Sequence, residues 1–321
     1  MTDAPLMLTD PVLAGLGIGP DEIRDAVEAA ILAEDAGRVA TAPKAAIVPG
    51  DGRYMMATLS TADDPALTVL KTVTVAPDNP SRGLAGIEGA MLLLDSRTGV
   101  LRALMAPGWV TGVRTAALSA VAAARMADPA SRVIAFVGTG VQARSHLDAM
   151  AALFPLAEMR AVGRGPANLD RLCDKARAMG LAATVCETPR DALEGADIVV
   201  TSVTLNFDLA PFLDARWLKP GAFAAITDLA LPWVPEGMPA LAPVVIDSLV
   251  QEAASARKMV DPALVAGDLA TLVAGRLALP AARTRPSAFV FRGVAIGDFA
   301  VAALAYRRAV EASAGVPLPG W

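Results

Sequence analysis

Val-Ile-Ala-Phe-Val-Gly-Thr-Gly-Val-Gln-Ala, residues 133–143, is the stretch that decides the fold. An apolar run that predicts a strand leads directly into Gly138 and Gly140, and the residues that follow predict a helix. Gly138 permits a tight turn, Gly140 lets the backbone approach a pyrophosphate, and Ala143 is small enough for close helix–strand packing. This context is typical of a dinucleotide-binding loop, although a plain tight turn is the alternative.

Outward from this loop, strands and helices alternate along the chain. The predicted strands are 132–137, 158–162, 182–186, 198–202, 222–227 and 244–247, and the predicted helices are 141–153, 166–180 and 189–193. Repeated strand–helix units indicate parallel strands in a doubly wound sheet. Residues 250–280 are predicted to be mainly helical.

The first part of the chain has a different pattern. The predicted strands are 44–48, 53–59, 67–75, 90–95 and 100–106, with helices at 20–38 and 111–127, the latter capped by Thr111. The turn 49–52 predicts a hairpin. The last stretch, 287–312, begins as a strand and ends as a helix that we expect to return to this first domain.

We therefore predict an α/β protein with two domains. A Rossmann-like, doubly wound parallel-sheet domain covers 128–291, and an α+β substrate-binding domain covers 1–127 plus 292–321.

Composition excludes several classes of function. The net charge is −5 without a basic block, so nucleic acid is not an expected partner. A single histidine, His146, rules out multi-histidine metal sites, and we expect no metal. We expect neither a signal peptide nor a membrane span, because the N-terminus lacks a basic, long apolar leader and charges interrupt every apolar run. Two cysteines without a pairing motif indicate a reducing compartment, and we predict a cytoplasmic protein.

Several cations have unusual surroundings. Lys71 lies in the middle of an apolar strand, where it either has a function or lies on a solvent face. Arg114 is expected in the first turn of its helix, where the helix dipole disfavours a cation unless an anion binds there. Lys44, at the start of a strand, either joins this anion site or is solvated. Arg53 is a further cation that, with Lys44, is positioned to meet a second carboxylate.

Two aspartates follow or begin predicted elements. Asp228 follows the strand 222–227, and the carboxyl ends of parallel strands face the ligand crevice. A carboxylate there is positioned to exchange a proton with a reacting nitrogen, whereas a turn role is the alternative. Asp298 either caps the last helix or belongs to a site.

The choice of dinucleotide stays open. The acidic residue that binds the ribose hydroxyls of NAD is expected after the strand 158–162, where this chain has Gly163 and Arg164. Arg164 either meets the 2′-phosphate of NADP or is a surface arginine.

Taken in order, these residues resemble the ornithine cyclodeaminase and mu-crystallin family over nearly the whole chain. The matching pieces are Lys71 in its strand, Pro77–Leu84, Leu94–Gly99, Thr111–Ala117, Gly138–His146, Ala196–Ser202, Trp217–Gly221 and Gly293–Asp298.

This resemblance implies a homodimer, with the α+β domain at the dimer interface. It implies that Lys71 and Arg114 bind the substrate carboxylate, and that Asp228 is the acid/base residue. Thr115, which adjoins Arg114, is a further candidate substrate-binding residue. The residues expected to bind NAD(H) or NADP(H) are Gly138, Thr139, Gly140, Val141, Gln142, Arg164, Ser202 and Asp298.

The chain departs from the family pattern at three places. Leu-Ala-Leu-Pro after Asp228 is unusual, and Lys44 stands where the family often has an arginine. A carboxylate for the second amine of ornithine is expected near 54–56, where this chain has Tyr54, Met55 and Met56. The last departure favours simple imine reduction over cyclodeamination.

The predicted function is therefore reduction of a 2-imino acid to an amino acid, with Lys71, Arg114 and Asp228 as catalytic residues. Iminosuccinate is the first candidate substrate, because Lys44 and Arg53 are positioned to meet its second carboxylate, and cyclic ketimines come next. The alternatives are a cyclodeaminase-type lyase and a non-catalytic binder of a dinucleotide or small ligand.

Overall fold

The computed structural model describes residues 4–319, and the chain divides into two compact units. The mixed-sheet unit comprises Met1–Arg114 and Val294–Trp321, and the parallel-sheet unit comprises Thr115–Gly293. The chain therefore divides after Arg114 and Gly293, whereas the sequence predicts boundaries after residues 127 and 291.

The elements follow one another in three groups. The first group is β1 (Leu6–Leu8), α1 (Asp10–Ala14), α2 (Pro20–Asp35), β2 (Val39–Thr41), β3 (Ala45–Ile47), β4 (Tyr54–Asp63), β5 (Ala66–Val75), β6 (Ile87–Asp95), β7 (Leu101–Met105) and α3 (Pro107–Met126). The second is β8 (Val133–Val137), α4 (Val141–Ala151), β9 (Glu158–Val162), α5 (Pro166–Ala178), β10 (Ala182–Val185), α6 (Pro189–Leu193), β11 (Ile198–Thr201), β12 (Phe223–Ile226), β13 (Val244–Ile246), α7 (Leu249–Ala254), β14 (Val265–Asp268), α8 (Leu269–Val273) and β15 (Ser287–Val290). The last is α9 (Ala295–Glu311) and β16 (Val316–Pro317), and short 3-10 helices cover Asn79–Arg82, Ala215–Trp217, Pro235–Ala240 and Pro262–Leu264.

The sheet of the mixed-sheet unit has the order β16-β1-β7-β6-β5-β4-β2, and β3 also pairs with β4. Strands β4 to β7 pair antiparallel with their neighbours in sequence, and β3 and β4 form the predicted hairpin. Every second residue of β5 is buried, Lys71 among them. Helix α9 packs against β4 and β5, so the prediction that the last helix returns to this domain is confirmed.

Helix α3 begins earlier than predicted, at Pro107, and Thr111 is not its N-cap. Proline is favoured at the first helical position. Asp10 accepts a hydrogen bond from the Trp109 amide at 2.8 Å, and a Cβ at Gly108 would lie 2.3 Å from the Asp10 carboxylate. Arg114 consequently lies about two turns into the helix, so the expected conflict with the helix dipole at the first turn was wrong.

The sheet of the parallel-sheet unit has the order β10-β9-β8-β11-β12-β15-β13-β14, and all its pairs are parallel. This confirms the Rossmann-like prediction. Strands β11, β12, β13 and β15 are buried along their length, as expected when helices cover both faces of a parallel sheet.

The prediction of a mainly helical segment over 250–280 was wrong. Residues Val265–Asp268 form strand β14, and α7 and α8 on either side are short. Pairing with β13 fixes the extended conformation, and such long-range pairing overrides the local helical pattern. Among residues 4–319, no helix is long and apolar enough to cross a membrane.

Candidate active site

The mixed-sheet unit contains a buried cluster of two cations and one carboxylate. Lys71 Nζ lies 2.6 Å from Asp298 Oδ1, and Arg114 Nε lies 3.0 Å from the same oxygen. The side chains of Lys71 and Asp298 are each 1% exposed and that of Arg114 is 5% exposed. Lys71 therefore lies on the buried face of its strand, and the solvent-face alternative is excluded.

Four elements bring this cluster together, namely β4, β5, α9 and the helix α3, which carries Arg114. Lys71 in β5 pairs with Thr58 in β4, so both side chains lie on the same face of the sheet. Asp298 lies in the first turn of α9, which packs on these strands. The Thr58 hydroxyl donates to Asp298 Oδ2 at 3.0 Å, while Lys71 donates to Oδ1. Asp298 was predicted with the dinucleotide residues, but it lies in this cluster.

The charges in the cluster depend on one another. Burial, together with repulsion from Arg114, lowers the pKa of Lys71 to about 8, although the neighbouring Asp298 carboxylate acts in the opposite direction. Burial alone would raise the pKa of Asp298, but Arg114 and Lys71 lower it below its usual value. Near neutral pH, these three groups carry two positive charges and one negative. Buried charges are stable only when they are paired, and an anionic ligand is a suitable partner for these two cations.

The other residues predicted to bind substrate have different surroundings. The Lys44 ammonium lies 5.8 Å from the centre of the Tyr54 ring, and Lys44 is half-buried. Arg53 is exposed, and its Nε donates to Asp51 at 2.8 Å. Thr115 is buried beside Arg114 on α3. Arg53 is therefore already engaged with a carboxylate of its own turn.

The loop from β8 to α4 has the geometry of a phosphate cradle. Gly138 has φ +92°, and a Cβ there would lie 2.6 Å from the Ser202 carbonyl oxygen. Gly140 has open space within 4 Å of the position of a Cβ. It precedes α4, whose first residue is Val141 and whose N-terminus has no side-chain cap. Uncapped amides beside open space suit an anionic group, so these residues fit a dinucleotide pyrophosphate.

The neighbours of the loop are consistent with this fit. Thr139 is buried, and a Cβ at Gly163 would lie 2.7 Å from its hydroxyl, so the end of β9 packs closely on the loop. Gln142 is half-buried and Arg164, which follows β9, is exposed. The Ser202 Oγ is buried and has no hydrogen-bond partner within residues 4–319, which leaves it available to a ligand.

Asp228 is a second buried carboxyl group, in the parallel-sheet unit. It is 1% exposed and follows β12. The Thr201 hydroxyl and the Val203 amide donate to its two oxygens, each at 3.1 Å. Burial raises the pKa of Asp228 to about 6, because these neutral donors only partly replace water around the charge. This carboxyl is thus able to gain and lose a proton near neutral pH.

Backbone strain lies directly beside this carboxyl group. Leu229 and Ala230 have φ +59° and +57°, the left-handed region that glycine favours. Such residues cluster at functional sites, where the surrounding structure holds them in place at a cost of about 1–3 kcal/mol each. The strained pair falls within Leu-Ala-Leu-Pro, the stretch that departs from the family pattern.

Asp228 and the loop lie at the same edge of the parallel sheet. Thr201, which donates to Asp228, pairs with Val137 on one side and with Ile226 on the other. Gly138 follows Val137, so the loop and the carboxyl group belong to neighbouring strand ends. Ligands of open α/β sheets bind outside such carboxyl ends.

The sole histidine has a structural environment. His146 Nε2 lies 2.9 Å from the Ser119 hydroxyl and Nδ1 lies 2.8 Å from the Gln142 carbonyl oxygen. Burial lowers the pKa of His146 to about 4, so the ring is neutral at physiological pH. No group of three or more His, Cys, Asp or Glu residues in the described part of the chain is arranged to hold a metal ion.

Three contributions to these sites were not predicted from the sequence: Thr58, Thr201 and the strained pair after Asp228. Thr58 donates to Asp298, which is 240 residues away in sequence, and Thr201 donates to Asp228, which follows the neighbouring strand. No local pattern in the sequence marks either threonine. The strained pair did leave a signal, the departure from the family pattern, but its conformation is visible only in the structure.

Comparison with known proteins gives consistent matches. The sequence model of the ornithine cyclodeaminase/mu-crystallin family matches residues 18–313. A putative dehydrogenase of Rhizobium meliloti (strain 1021) is 36% identical over 253 residues, which are 74% of this chain and 75% of that protein. The ketimine reductase mu-crystallin of Rattus norvegicus is 31% identical over 258 residues, 78% of this chain and 79% of that protein.

A solved structure has the same fold. The Delta(1)-pyrroline-2-carboxylate reductase of Thermococcus litoralis, in complex with NADH and L-proline, aligns with a TM-score of 0.86 at 24% identity. The alignment covers 98% of this chain and 100% of that one. At this level of identity the likeness shows the fold.

Proposed function

Because this chain belongs to the ornithine cyclodeaminase/mu-crystallin family, we propose that it is an NAD(P)H-dependent oxidoreductase that reduces a 2-imino acid to an amino acid. The observation that carries the proposal is the position of Asp228. A buried carboxyl group with a pKa of about 6 lies at the same sheet edge as a loop that fits a dinucleotide. Reduction of an imine needs these two components, a hydride donor and a group that exchanges a proton with nitrogen.

Lys71 and Arg114 are the proposed ligands of the substrate carboxylate. Both cations are buried, and in such a setting a bound carboxylate forms strong charge-assisted hydrogen bonds. Holding the carboxylate fixes the position of the adjacent C2 atom, which lowers the entropic part of the barrier.

The loop at Gly138–Gln142 is the proposed site of the dinucleotide pyrophosphate, with Ser202 beside it. The reduced nicotinamide supplies the hydride when it is bound. The protein contributes the uncapped N-terminus of α4 and the close approach that Gly138 and Gly140 permit. Both NAD(H) and NADP(H) remain candidates, since Arg164 stands where NAD-specific proteins carry an acidic residue.

Asp228 is the proposed proton donor to the imine nitrogen. Protonation of that nitrogen makes C2 electrophilic, and a carboxyl group with a pKa near 6 keeps a useful protonated fraction at neutral pH. In the opposite direction the carboxylate form accepts the proton from the amine. The hydrogen bonds from the Thr201 hydroxyl and the Val203 amide fix the position of this group.

We propose cyclic ketimine acids and small 2-imino acids as the preferred substrates, ahead of iminosuccinate. The second carboxylate of iminosuccinate would need another cation, and Arg53 is exposed and paired with Asp51. Met56, two residues before Thr58 on β4, lies on the same face of the sheet as Lys71 and is a half-buried apolar residue, which suits an apolar ring better than a charge.

The test is a substrate panel followed through the absorbance of NADH and of NADPH. The imine sources are pyrroline-2-carboxylate, piperideine-2-carboxylate, and ammonia mixed with pyruvate, glyoxylate or oxaloacetate. We expect dinucleotide oxidation with the cyclic imines, and oxidation that needs both ammonia and the 2-oxo acid with the others. A clear preference for oxaloacetate would restore iminosuccinate as the first candidate.

The same panel separates the other functions. Ammonia release from ornithine without net oxidation of the dinucleotide would identify a cyclodeaminase. Dinucleotide binding without turnover of any compound would identify a non-catalytic binder. Either result would overturn imine reduction as the function of this chain.

A homodimer is proposed as the assembly. Large apolar side chains of the mixed-sheet unit are exposed at one end of its sheet, including Ile47 at 68% and Ile87 at 48%. Exposed apolar groups of this kind mark interaction surfaces. Measurement of the molar mass in solution by light scattering tests the proposal, and a monomeric mass would overturn it.

A further inference from the structure

Asp298 holds both cations of the proposed carboxylate site with one oxygen atom. Lys71 Nζ and Arg114 Nε approach its Oδ1, at 2.6 Å and 3.0 Å, and the Thr58 hydroxyl holds its Oδ2 at 3.0 Å. These contacts fix the carboxylate of Asp298 from three sides. The two cations come from β5 and α3, so a single residue of α9 contacts both of these elements.

We infer that Asp298 is the positioning residue of the substrate carboxylate site: it fixes the Lys71 ammonium and the Arg114 guanidinium in the arrangement that a carboxylate needs. The inference rests on the proposed function, because it assigns a role within that same site. Asp298 acts through Lys71 and Arg114 and is not itself a ligand of the substrate.

Physical chemistry explains why such a residue is needed. Lysine has a flexible four-carbon stem, and a buried lysine readily loses its proton. Asp298 counteracts both tendencies, because its carboxylate anchors the ammonium and stabilises its charged form. The Arg114 guanidinium repels the Lys71 ammonium. Without the Asp298 carboxylate, the two cations would therefore move apart or Lys71 would become neutral.

A second role for Asp298 makes the opposite prediction. If Asp298 only balanced charge, it would compete with the substrate carboxylate for the same cations. Its removal would then leave a more positive cluster and tighten substrate binding. The sign of the change in KM therefore distinguishes positioning from charge balance.

The experiment compares wild type, Asp298→Asn, Asp298→Glu and Thr58→Val. The KM and kcat for pyrroline-2-carboxylate are measured from pH 6 to 9, with dinucleotide affinity as the control for an intact parallel-sheet unit. Asp298→Asn should raise KM about tenfold to a hundredfold near neutral pH, because it removes the negative charge that strengthens the hydrogen bond from Lys71 and forms the ion pair with Arg114.

The pH dependence gives the more specific readout. In wild type, KM should rise as pH increases through about 8, where Lys71 loses its proton. Asp298→Asn should move this rise to lower pH, because the carboxylate no longer stabilises the ammonium. Asp298→Glu should raise KM, because the longer side chain displaces the carboxylate oxygen. The pH at which KM begins to rise should remain that of wild type, because the negative charge is retained.

Thr58→Val provides a variant that keeps all three charges. It removes only the hydrogen bond to Asp298 Oδ2. We expect KM to increase severalfold at every pH, while the pH at which KM begins to rise stays that of wild type. This measurement tests the inference even if Asp298→Asn does not fold. No change in KM with Thr58→Val and Asp298→Glu, or a lower KM with Asp298→Asn, would overturn it.

The proposed function and this inference fail in different ways. If wild type oxidises no dinucleotide with any imine, the proposed function is wrong. If wild type is active and Asp298→Asn keeps the wild-type KM at every pH, only the positioning role is wrong.

Discussion

Asp298 and Asp228 are each 1% exposed, yet their pKa values are shifted in opposite directions. Asp298 lies beside Arg114 and Lys71, which lower its pKa despite the burial. Asp228 receives hydrogen bonds from the neutral Thr201 hydroxyl and Val203 amide, and burial raises its pKa to about 6. Equal burial thus accompanies pKa shifts in opposite directions, because the charge of the neighbours decides which form is stabilised.

The difference matches two different chemical tasks. A carboxylate that stays ionised anchors cations, and a carboxyl group that titrates near neutral pH transfers protons. We propose that Asp298 performs the first task in the mixed-sheet unit and that Asp228 performs the second in the parallel-sheet unit. The following predictions test whether the two aspartates have these different roles. Effects on activity and binding come first, from the largest to the smallest, and an effect on stability follows.

The largest effect is expected for Asp228→Asn. An amide of similar shape cannot donate a carboxyl proton, so kcat for imine reduction should fall about 10²- to 10⁴-fold with KM little changed. Thr201→Val, which removes one hydrogen bond to Asp228 and keeps the carboxyl group, is the matched control and should have a much smaller effect. Steady-state kinetics with a cyclic imine checks both. Equal activity of Asp228→Asn and wild type would show that Asp228 does not transfer the proton in this reaction.

The pH profile of wild type sharpens the same comparison. The protonated form of Asp228 is the proposed donor, so kcat for reduction should decrease as pH rises through about 6. Oxidation of the amino acid needs the carboxylate and should increase over the same interval. Profiles measured in both directions check this expectation. Parallel changes in the two directions would contradict the assignment.

The next effect is expected for Lys71→Met. The change removes a cation from the cluster, and kcat/KM should fall about 10²- to 10³-fold, as when one partner of a buried charge pair is lost. Affinity for the dinucleotide, measured by calorimetry, should remain that of wild type. Lys175→Met, which breaks a partly exposed pair with Asp148, should leave kcat/KM unchanged. A loss confined to dinucleotide affinity would contradict the role of Lys71.

A smaller effect is expected for Gly140→Ala in the dinucleotide loop. The backbone at Gly140, with φ −74°, accepts alanine, and the space around the new Cβ is open. Thermal stability should therefore hold, while dinucleotide affinity falls about tenfold because the methyl group occupies the proposed phosphate site. Gly19→Ala at the N-cap of α2, with φ −79° and equally open space, is the matched control. An unchanged dinucleotide affinity of Gly140→Ala would show that the phosphate does not bind at this glycine.

The last expected effect is on stability and not on activity or binding. The folded pKa of Asp228 is raised above its unfolded value, so its contribution is fully present below about pH 3.8 and is lost as pH rises through about 6. Above that pH the buried carboxylate costs about 2 to 3 kcal/mol. Asp228→Asn should thus be more stable than wild type at pH 8 and equally stable at pH 4. Denaturant unfolding at both pH values checks this, and a less stable variant at pH 8 would contradict it.

The sequence predicts the features that depend on local pattern. The strand, two glycines and helix at 133–143 identify the loop, and repeated strand–helix units identify the parallel sheet. Lys71 and Asp228 stand out because one interrupts an apolar strand and the other follows one. Each of these signals lies within a few residues of the feature that it predicts.

The sequence does not predict features that depend on contacts between distant residues. Asp298 and Lys71 are 227 residues apart, and nothing near Asp298 indicates that two cations share its oxygen. The start of α3 depends on Asp10, 99 residues before Trp109. Residues 265–268 form strand β14 because they pair with β13. In each case the deciding partner is brought close only by the fold.

The most direct test of imine reduction follows the hydride itself. Wild-type protein is incubated with pyrroline-2-carboxylate and reduced dinucleotide in which both hydrogens at C4 of the nicotinamide are deuterium, and the amino acid is analysed by mass spectrometry and NMR. Reduction of the imine predicts one deuterium at the α-carbon of proline for each dinucleotide oxidised. Proline without deuterium, or no oxidation of a dinucleotide that nevertheless binds, would contradict the proposed function.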